Sequence, residues 1–145
     1  SRGCLELYAS TARMAEHVRA RVEAGEPSLL KDAQLNWSTI LNAAVAGDNA
    51  ARSAVEEYCD YLSCALVNMV NVFDPEIIYI CQYENPKAGE LLAALLQERV
   101  RARMLAPDCR RMSVRCSTFG SRSVMTGALA LVAGKVFDGT LPFMP

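Results

Sequence analysis

The amino-acid sequence predicts an α/β fold that is rich in helix and has few strands. Residues 48–73 place apolar side chains at alternating steps of four and three, which is the spacing of one stripe on a helix face. Asp74-Pro75 ends this helix, because proline disfavours helical geometry in the residue before it and lacks an N–H. The short run Ile77–Ile80 follows at once and is typical of an interior strand. A long helix followed directly by a buried strand indicates the α/β class.

The first third of the chain is predicted to hold helices and one long connection. Leu5–Ala24 is predicted as a helix with a break near Ser10 and Thr11, where either hydroxyl can cap a second segment. Residues 26–36 show weak periodicity and are predicted to connect this helix to the next one. That next helix is Trp37–Ala46, which is short and carries apolar residues on one face.

The long helix is predicted to begin near Asp48, whose carboxylate can accept hydrogen bonds from the first amide groups of the helix. Its first half keeps charged residues on one side, whereas residues 61–73 are mostly apolar and are expected to be buried nearly all round. The predicted core-facing stripe consists of Ala51, Val55, Tyr58, Leu62, Ala65, Met69 and Val72.

The last part of the chain is predicted to add a helix, a strand and a final helix. After a polar loop at residues 82–86, Lys87–Ala106 has its leucines at helical spacing. Met112–Phe119 alternates drier and wetter residues and is predicted as a second strand. Val124–Phe137 is almost wholly apolar and is expected to be a central helix. Because two strands do not make a stable sheet alone, further strands are expected upstream of Ser1.

Composition and charge exclude several classes of protein. The 145 residues suit one domain, residues 1–145, and 52% hydrophobic with 21% charged residues is typical of a soluble globular protein. A net charge of −1 gives no long-range attraction to nucleic acid or anionic lipid, and no apolar run is long enough to span a membrane. We therefore expect a cytoplasmic protein without a signal peptide. The missing initiator methionine, with helical sequence almost at the start, indicates a fragment.

Few residues outside these elements indicate chemistry. The six cysteines contain no Cys-x-x-Cys pair and are expected to be reduced thiols. His17 is the only histidine, so we expect neither a histidine-based triad nor a two-histidine metal site, and we assign it no role. Asn68 and Asn71 are expected to satisfy neighbouring backbone groups. A solvated face, rather than a nucleic-acid track, is expected for the arginines at positions 99, 101, 103, 110, 111, 115 and 122.

Several short motifs occur in a fixed order along the chain. They are Gly3-Cys4-Leu5-Glu6 with Tyr8-Ala9-Ser10, then Gly47-Asp48-x-Ala50, then residues 71–78 (AsnValPheAspProGluIleIle), then Gly127-Ala128-x-Ala130-Leu131. In this order and spacing they resemble the ROK family, named for repressors, open reading frames and sugar kinases. The resemblance covers essentially the whole chain. It implies the C-terminal half of an RNase H-like/actin-like ATPase fold that is N-terminally incomplete.

The same resemblance implies a metal site and a sugar site. In the family, the segment corresponding to residues 1–6 ends a zinc motif, Cys-x-Cys-Gly-x-x-Gly-Cys-x-Glu, whose fourth ligand is an upstream histidine. Cys4 matches the last cysteine of this motif, and Glu6 matches the glutamate that hydrogen-bonds the hydroxyls of a bound sugar. The other three zinc ligands are not in this chain. Zinc is therefore expected in the full-length parent and none is expected on this fragment.

Two departures from the family pattern favour its regulators over its kinases. Kinase members follow the AspProGlu strand with a glycine-rich turn that lets the backbone approach the nucleotide, whereas this chain has Cys81-Gln82-Tyr83. Kinase members also carry Ala-Gly before the final helix, whereas this chain has Ser123-Val124. At both places the sequence is similar to that of the repressors of the N-acetylglucosamine type.

The sequence therefore predicts the sugar-sensing and subunit-association module of a ROK transcriptional regulator, and not an enzyme. Its expected partners are a small sugar or sugar phosphate, a second copy of the chain, and DNA through a helix-turn-helix absent from this chain; no membrane partner is expected. Two alternatives stay open, namely the C-terminal half of a ROK sugar kinase and an interaction protein that uses the fold as a scaffold. A helix-turn-helix or a phosphate loop in upstream sequence would distinguish them.

Overall fold

The computed structural model describes residues 3–81 and 84–140, so Ser1, Arg2, Gln82, Tyr83 and residues 141–145 lie outside the described residues. Two short 3-10 helices, Leu5–Leu7 and Gly120–Arg122, accompany the regular elements. The regular elements in chain order are α1 (Thr11–Glu23), α2 (Trp37–Val45), α3 (Asn49–Phe73), β1 (Ile77–Ile80), α4 (Pro86–Arg103), β2 (Ser113–Cys116) and α5 (Ser123–Phe137).

Side-chain caps set the starts of α1 and α3. The Ser10 hydroxyl accepts a hydrogen bond from the amide of Arg13 at 3.3 Å. The Asp48 carboxylate accepts one from the amide of Ala51 at 2.8 Å. Each cap satisfies an amide that has no partner inside its own helix. The predicted break near Ser10 and the predicted start of the long helix at Asp48 are both confirmed.

The strands β1 and β2 form a parallel two-stranded sheet, in which Ile77 is opposite Ser113 and Ile80 is opposite Cys116. Parallel neighbours need a crossover connection, and α4 supplies it. The second strand is shorter than the predicted 112–119, because the amide of Gly120 donates to the carbonyl of Ser117 and turns the chain. The helix-rich α/β class is as predicted.

The core lies where α1, α2 and α4 pack against α3. Cys59 of α3 belongs to it, and burial raises the pKa of its thiol to about 12, so the side chain behaves as a small apolar group. The largest fully buried apolar side chains are Met14, Val18, Ile40, Leu41, Val55, Val70, Leu92, Leu96 and Val100. Removal of these side chains from water is the main stabilising contribution.

The expectation that residues 61–73 of α3 are buried nearly all round is wrong for the described chain. Met69 is 52% exposed and Val72 is 74% exposed, although both belong to the predicted stripe. The buried positions in this half are Ser63 and Val70. These residues are apolar, but the described elements cover only one face of this half of α3, so most of them stay in contact with water.

The final helix and the first strand are also more exposed than predicted. None of the described residues of α5 is buried, and Leu131 is 72% exposed, so the expectation of a central helix is wrong here. Tyr79 in β1 is 57% exposed, so the strand is not interior. No described element lies over these surfaces to exclude water. Among the described residues, no helix is both long and apolar enough to cross a membrane.

These exposed surfaces lead to a prediction about association. Because contiguous apolar surface of this kind is disfavoured in water, the chain is expected to form dimers or larger species. Sedimentation equilibrium at tens of micromolar would detect even an interface of roughly −7 kcal/mol, which would be largely formed at that concentration. A single species of 15.8 kDa across that range would contradict the prediction.

Candidate functional site

Glu6 and Cys4 lie together at the described N-terminus. Glu6 is in the 3-10 helix Leu5–Leu7, and Cys4 is the extended residue just before it; both are exposed. Glu6 borders two clefts, one of about 510 Å³ and one of about 570 Å³. The first cleft also contains Cys4 and Arg13, and the second contains Trp37. The predicted sugar residue therefore faces space large enough for a monosaccharide.

The described residues do not fit a zinc site. A structural zinc site has four ligands, generally cysteine thiolates and histidines. Residues 3–81 and 84–140 contain no group of three or more His, Cys, Asp or Glu side chains placed to hold a metal ion. Cys4 would supply one thiolate, and a tetrahedral site would need the others from elsewhere. The assignment of Cys4 as a zinc ligand in the parent stays a prediction.

His17 makes contacts that the sequence analysis did not foresee. Its Nε2 is 3.1 Å from the Ser53 hydroxyl oxygen, and its Nδ1 contacts the Glu57 carboxylate. The order serine, histidine, carboxylate is that of a nucleophilic triad. The expectation that a single histidine excludes such an arrangement of side chains is therefore wrong. The Arg21 guanidinium also donates to the Ser53 hydroxyl at 3.2 Å, and Arg13 pairs with Glu57.

This triad-like cluster lacks the other parts of a hydrolytic site. None of the described clefts is lined by Ser53, His17 or Glu57. Ser53 lies inside α3, where backbone amides are used in the helix and cannot form an oxyanion hole. The cluster instead links α1 to α3 through half-buried polar contacts. A sequence signal was present, since Ser53 and Glu57 are four residues apart and share one helix face.

Asp48 is the most highly connected carboxylate in the described chain and is only 6% exposed. Besides capping α3, it accepts hydrogen bonds from the Leu29 amide at 2.6 Å and the Ser28 hydroxyl at 2.8 Å. Burial acts to raise the pKa of this carboxyl, but the hydrogen bonds from Ala51, Leu29 and Ser28 outweigh it and hold the pKa below its ordinary value. Asp48 therefore ties the long connection to the start of α3.

The carboxyl ends of β1 and β2 face a cleft of about 470 Å³ lined by Glu84, Thr118 and Arg122, among others. In open α/β sheets this end of the strands is the usual place for ligands. Ser123 lies close by, and its hydroxyl is 2.7 Å from the Ser117 hydroxyl and donates to the Gly120 carbonyl at 2.7 Å. Ser123 itself does not line the cleft, and by the resemblance it stands with Val124 where kinase members carry Ala-Gly.

The basic residues after position 98 are largely engaged with the protein itself. Arg99 donates to the Asp60 carboxylate at 2.6 Å, and Arg103 donates to the Ser63 hydroxyl at 2.8 Å. These contacts fasten α4 to α3. Guanidinium groups held in this way are not a track for phosphates. The predicted solvated face is wrong for Arg99 and Arg110, whose side chains are only 18% and 23% exposed.

Arg110 and Asn71 close the C-terminal end of α3. Arg110 donates to the Val70 carbonyl at 3.2 Å, and Asn71 accepts a hydrogen bond from the Leu105 amide at 3.0 Å. The expectation that Asn71 satisfies backbone groups is confirmed. Asn68 is exposed.

Comparison with known proteins decides the family. The sequence pattern of the ROK family matches residues 1–135. This chain belongs to the ROK family. It is 29% identical to the DNA-binding transcriptional repressor Mlc of Escherichia coli over 139 residues, which are 96% of this chain and 34% of the relative. It is 28% identical to the xylose repressor of Caldicellulosiruptor bescii over 141 residues, covering 90% of this chain and 33% of the relative.

Solved structures place the ROK chain in the actin-like ATPase fold. A ROK family transcriptional regulator, described as a homologue of the E. coli MLC protein, matches with a TM-score of 0.77 and 30% identity over 96% of this chain and 35% of that one. A ROK family glucokinase from Streptomyces griseus in complex with glucose and AMPPNP matches with a TM-score of 0.76 and 24% identity, over 90% of this chain and 45% of that one. The chain thus spans about a third of the curated relatives.

Proposed function

We propose that this chain is the sugar-sensing and subunit-association module of a ROK transcriptional regulator, with the DNA contacts made by residues outside the 145. The observation that carries the proposal is that the chain matches repressors over 90–96% of its length. The exposed carboxylate of Glu6 supports the sensing role, because it faces clefts of monosaccharide size. The apolar surfaces of α5 and of the second half of α3 support the association role.

Substitution of Glu6 tests the sensing role. In the full-length regulator, Glu6→Ala is expected to raise the sugar concentration needed for release from operator DNA by about 10- to 150-fold. This factor corresponds to the roughly 1.5–3 kcal/mol of one hydrogen bond to a charged acceptor. Operator binding without sugar is expected to be unchanged, as measured by fluorescence anisotropy of labelled operator DNA.

Glu90→Ala is the matched control for this experiment, because Glu90 is an exposed carboxylate on α4 that borders no described cleft. It is expected to leave both operator binding and sugar response as they are. Equal induction curves for Glu6→Ala and Glu90→Ala would remove Glu6 from the sugar site.

The second candidate function is the C-terminal half of a ROK sugar kinase, which the glucokinase match favours. Against it stand Cys81 and Val124, which by the resemblance replace glycines that let the backbone approach the nucleotide in kinase members. The full-length parent is therefore expected to give no sugar-dependent release of ADP from ATP. A coupled assay with glucose, xylose and N-acetylglucosamine measures this release. Turnover that depends on any of the three sugars would favour the kinase over the regulator.

A further inference from the structure

A cleft of about 560 Å³ lies between the last turns of α1 and the connection formed by residues 26–36. It shares no residue with the two clefts that Glu6 borders. Its size is within the range of small-molecule sites, which join an apolar surface to a few polar groups that fix the orientation of the ligand. This cleft has both kinds of lining.

The wall that the connection forms is held at both ends. The Asp48 carboxylate accepts hydrogen bonds from the Ser28 hydroxyl and the Leu29 amide. Further along the connection, the Thr39 hydroxyl donates to the Gln34 carbonyl at 2.7 Å. A site whose walls are fixed before binding loses little conformational entropy when a ligand enters, so more of the contact energy remains for affinity.

The apolar side of the cleft is continuous with the hydrophobic core. Val18 is 1% exposed and Leu30 is 6% exposed, so both are part of the core itself. Val22 and Leu35 are half-buried and pack against it, which leaves part of each side chain open to the cleft. An aliphatic surface of this kind suits a branched aliphatic group, whose removal from water is favourable.

Three charged side chains also line the cleft, namely Arg19 and Glu23 of α1 and Lys31 of the connection. All three residues are exposed, and within the described residues none of these side chains has a hydrogen-bonding or ion-pairing partner. Arg19 and Glu23 are four residues apart, so they are neighbours on the helix surface. Because they do not pair with each other, a guanidinium and a carboxylate are both available to a ligand at the same place.

A neighbouring cation and anion match a ligand that carries both charges close together. A guanidinium binds a carboxylate through two parallel N–H groups, and Lys31 adds a second cation. The Glu23 carboxylate can accept hydrogen bonds from an ammonium group. A free α-amino acid carries both groups on one carbon. A simple carboxylate would meet the like charge of Glu23 instead, and a simple amine would meet that of Arg19.

We propose that this cleft binds a free α-amino acid with a branched aliphatic side chain. The carboxylate of the amino acid pairs with Arg19 and Lys31, its ammonium pairs with Glu23, and its side chain packs on Val22 and Leu35. This second ligand site goes beyond the proposed sugar-sensing function and does not depend on it, since it shares no residue with the clefts that Glu6 borders.

Equilibrium dialysis of the 145-residue chain against radiolabelled L-leucine tests the proposal. Saturable binding of one leucine per chain is expected, with a dissociation constant of about 1 mM or below. A dissociation constant above about 1 mM, or no saturable binding, would overturn the proposal and leave the sugar-sensing function standing.

Competition against the labelled leucine tests each part of the ligand. The competitor 4-methylpentanoate lacks only the ammonium group of leucine, 3-methylbutylamine lacks only its carboxylate, and glycine lacks its side chain. Each is expected to need at least a tenfold higher concentration than unlabelled L-leucine for the same displacement. Displacement by any of the three within tenfold of leucine would overturn the choice of an aliphatic amino acid.

Substitutions of exposed residues test the location of the site. Arg19→Gln and Glu23→Gln are each expected to raise the dissociation constant for leucine at least fivefold, because each removes one charge that the ligand meets. The matched controls are Arg101→Gln and Glu90→Gln, which change exposed residues of α4 outside the clefts described above. Both controls are expected to stay within twofold of the parent chain.

Circular dichroism of all four variants verifies that each keeps the helical content of the parent chain. Leucine that binds to Arg19→Gln and Glu23→Gln as tightly as to the two controls would overturn the assignment to this cleft. An equal loss of binding in the controls would do the same, because it would show a general effect of charge and not a contact with the ligand.

Discussion

Replacing Leu96 with alanine is expected to lower the free energy of unfolding by about 2–5 kcal/mol, because the change removes buried methyl groups and leaves a cavity. Leu96 is 1% exposed and lies on the side of α4 that packs into the core. A loss of this size is a large part of the stability of a domain, which is about 5–15 kcal/mol. Urea unfolding followed by circular dichroism measures it.

The same substitution in α5 is the internal control. Leu131 is 72% exposed, so Leu131→Ala is expected to change the free energy of unfolding by less than about 0.5 kcal/mol. The measurement should be made at a concentration below that of any association. Destabilisation by Leu131→Ala equal to that by Leu96→Ala would mean that α5 is packed on the core in solution, contrary to the arrangement described above.

Asp48→Ala is expected to cost about 2–4 kcal/mol of folding free energy, since it removes a helix cap and leaves one buried and one partly buried amide without an acceptor. The amides concerned are those of Ala51 and Leu29, and the carboxylate is almost fully buried. Asp48→Asn keeps an oxygen in place and is expected to cost less than half as much. Thermal and urea unfolding at neutral pH measure both. Equal stability of Asp48→Ala and the parent chain would contradict the hydrogen-bond network.

The depressed pKa of Asp48 gives this contribution a definite pH dependence. A carboxyl whose pKa is lower in the folded state than its ordinary value of 3.8 stabilises the fold at higher pH. That contribution is fully present above about pH 4–5 and is lost as pH falls through the folded-state pKa. The difference in unfolding free energy between the parent and Asp48→Asn is therefore expected to shrink as pH decreases from 5 to 2. A constant difference over that range would contradict the depressed pKa.

Element boundaries could be predicted because the groups that set them act on their immediate neighbours. Ser10 and Asp48 cap helices through amides three residues away, and Asp74-Pro75 ends α3 where predicted. Asp74 itself adopts a left-handed conformation with φ of 48°, which aspartate tolerates better than most residues. Interactions of this kind join residues that are close in the sequence, so they can be recognised before the fold is known.

Burial could not be predicted in the same way, because it depends on what lies opposite each surface. Periodicity pointed Met69 and Val72 toward a core, yet both are exposed, whereas the polar Ser63 is fully buried. Ser63 is satisfied there by donating to the Asp60 carbonyl at 2.8 Å and accepting from Arg103. The contact with Arg103 joins α3 to α4, and nothing in the sequence near Ser63 indicates it.

The candidate site shows the same division. Cys4 and Glu6 were identified through the family motif, and the chain does belong to that family. Neither spacing nor composition indicated that Trp37 and Tyr58 lie in one cleft with Glu6, because the three residues come from separate elements. The link from His17 to Glu57 was missed for the same reason. Contacts between distant segments require the packing of α1, α2 and α3 to be known first.

The exposure of α5 has a consequence for how order is distributed along the chain. Isolated helices become marginal in water at about 12–15 residues, and α5 is at this limit with 15 residues and no buried side chain. We therefore expect α5 to undergo a helix–coil equilibrium that is nearly independent of the unfolding of the α1–α4 core. A partner that covers α5 would draw this equilibrium toward helix, and part of its binding free energy would be used to order the segment.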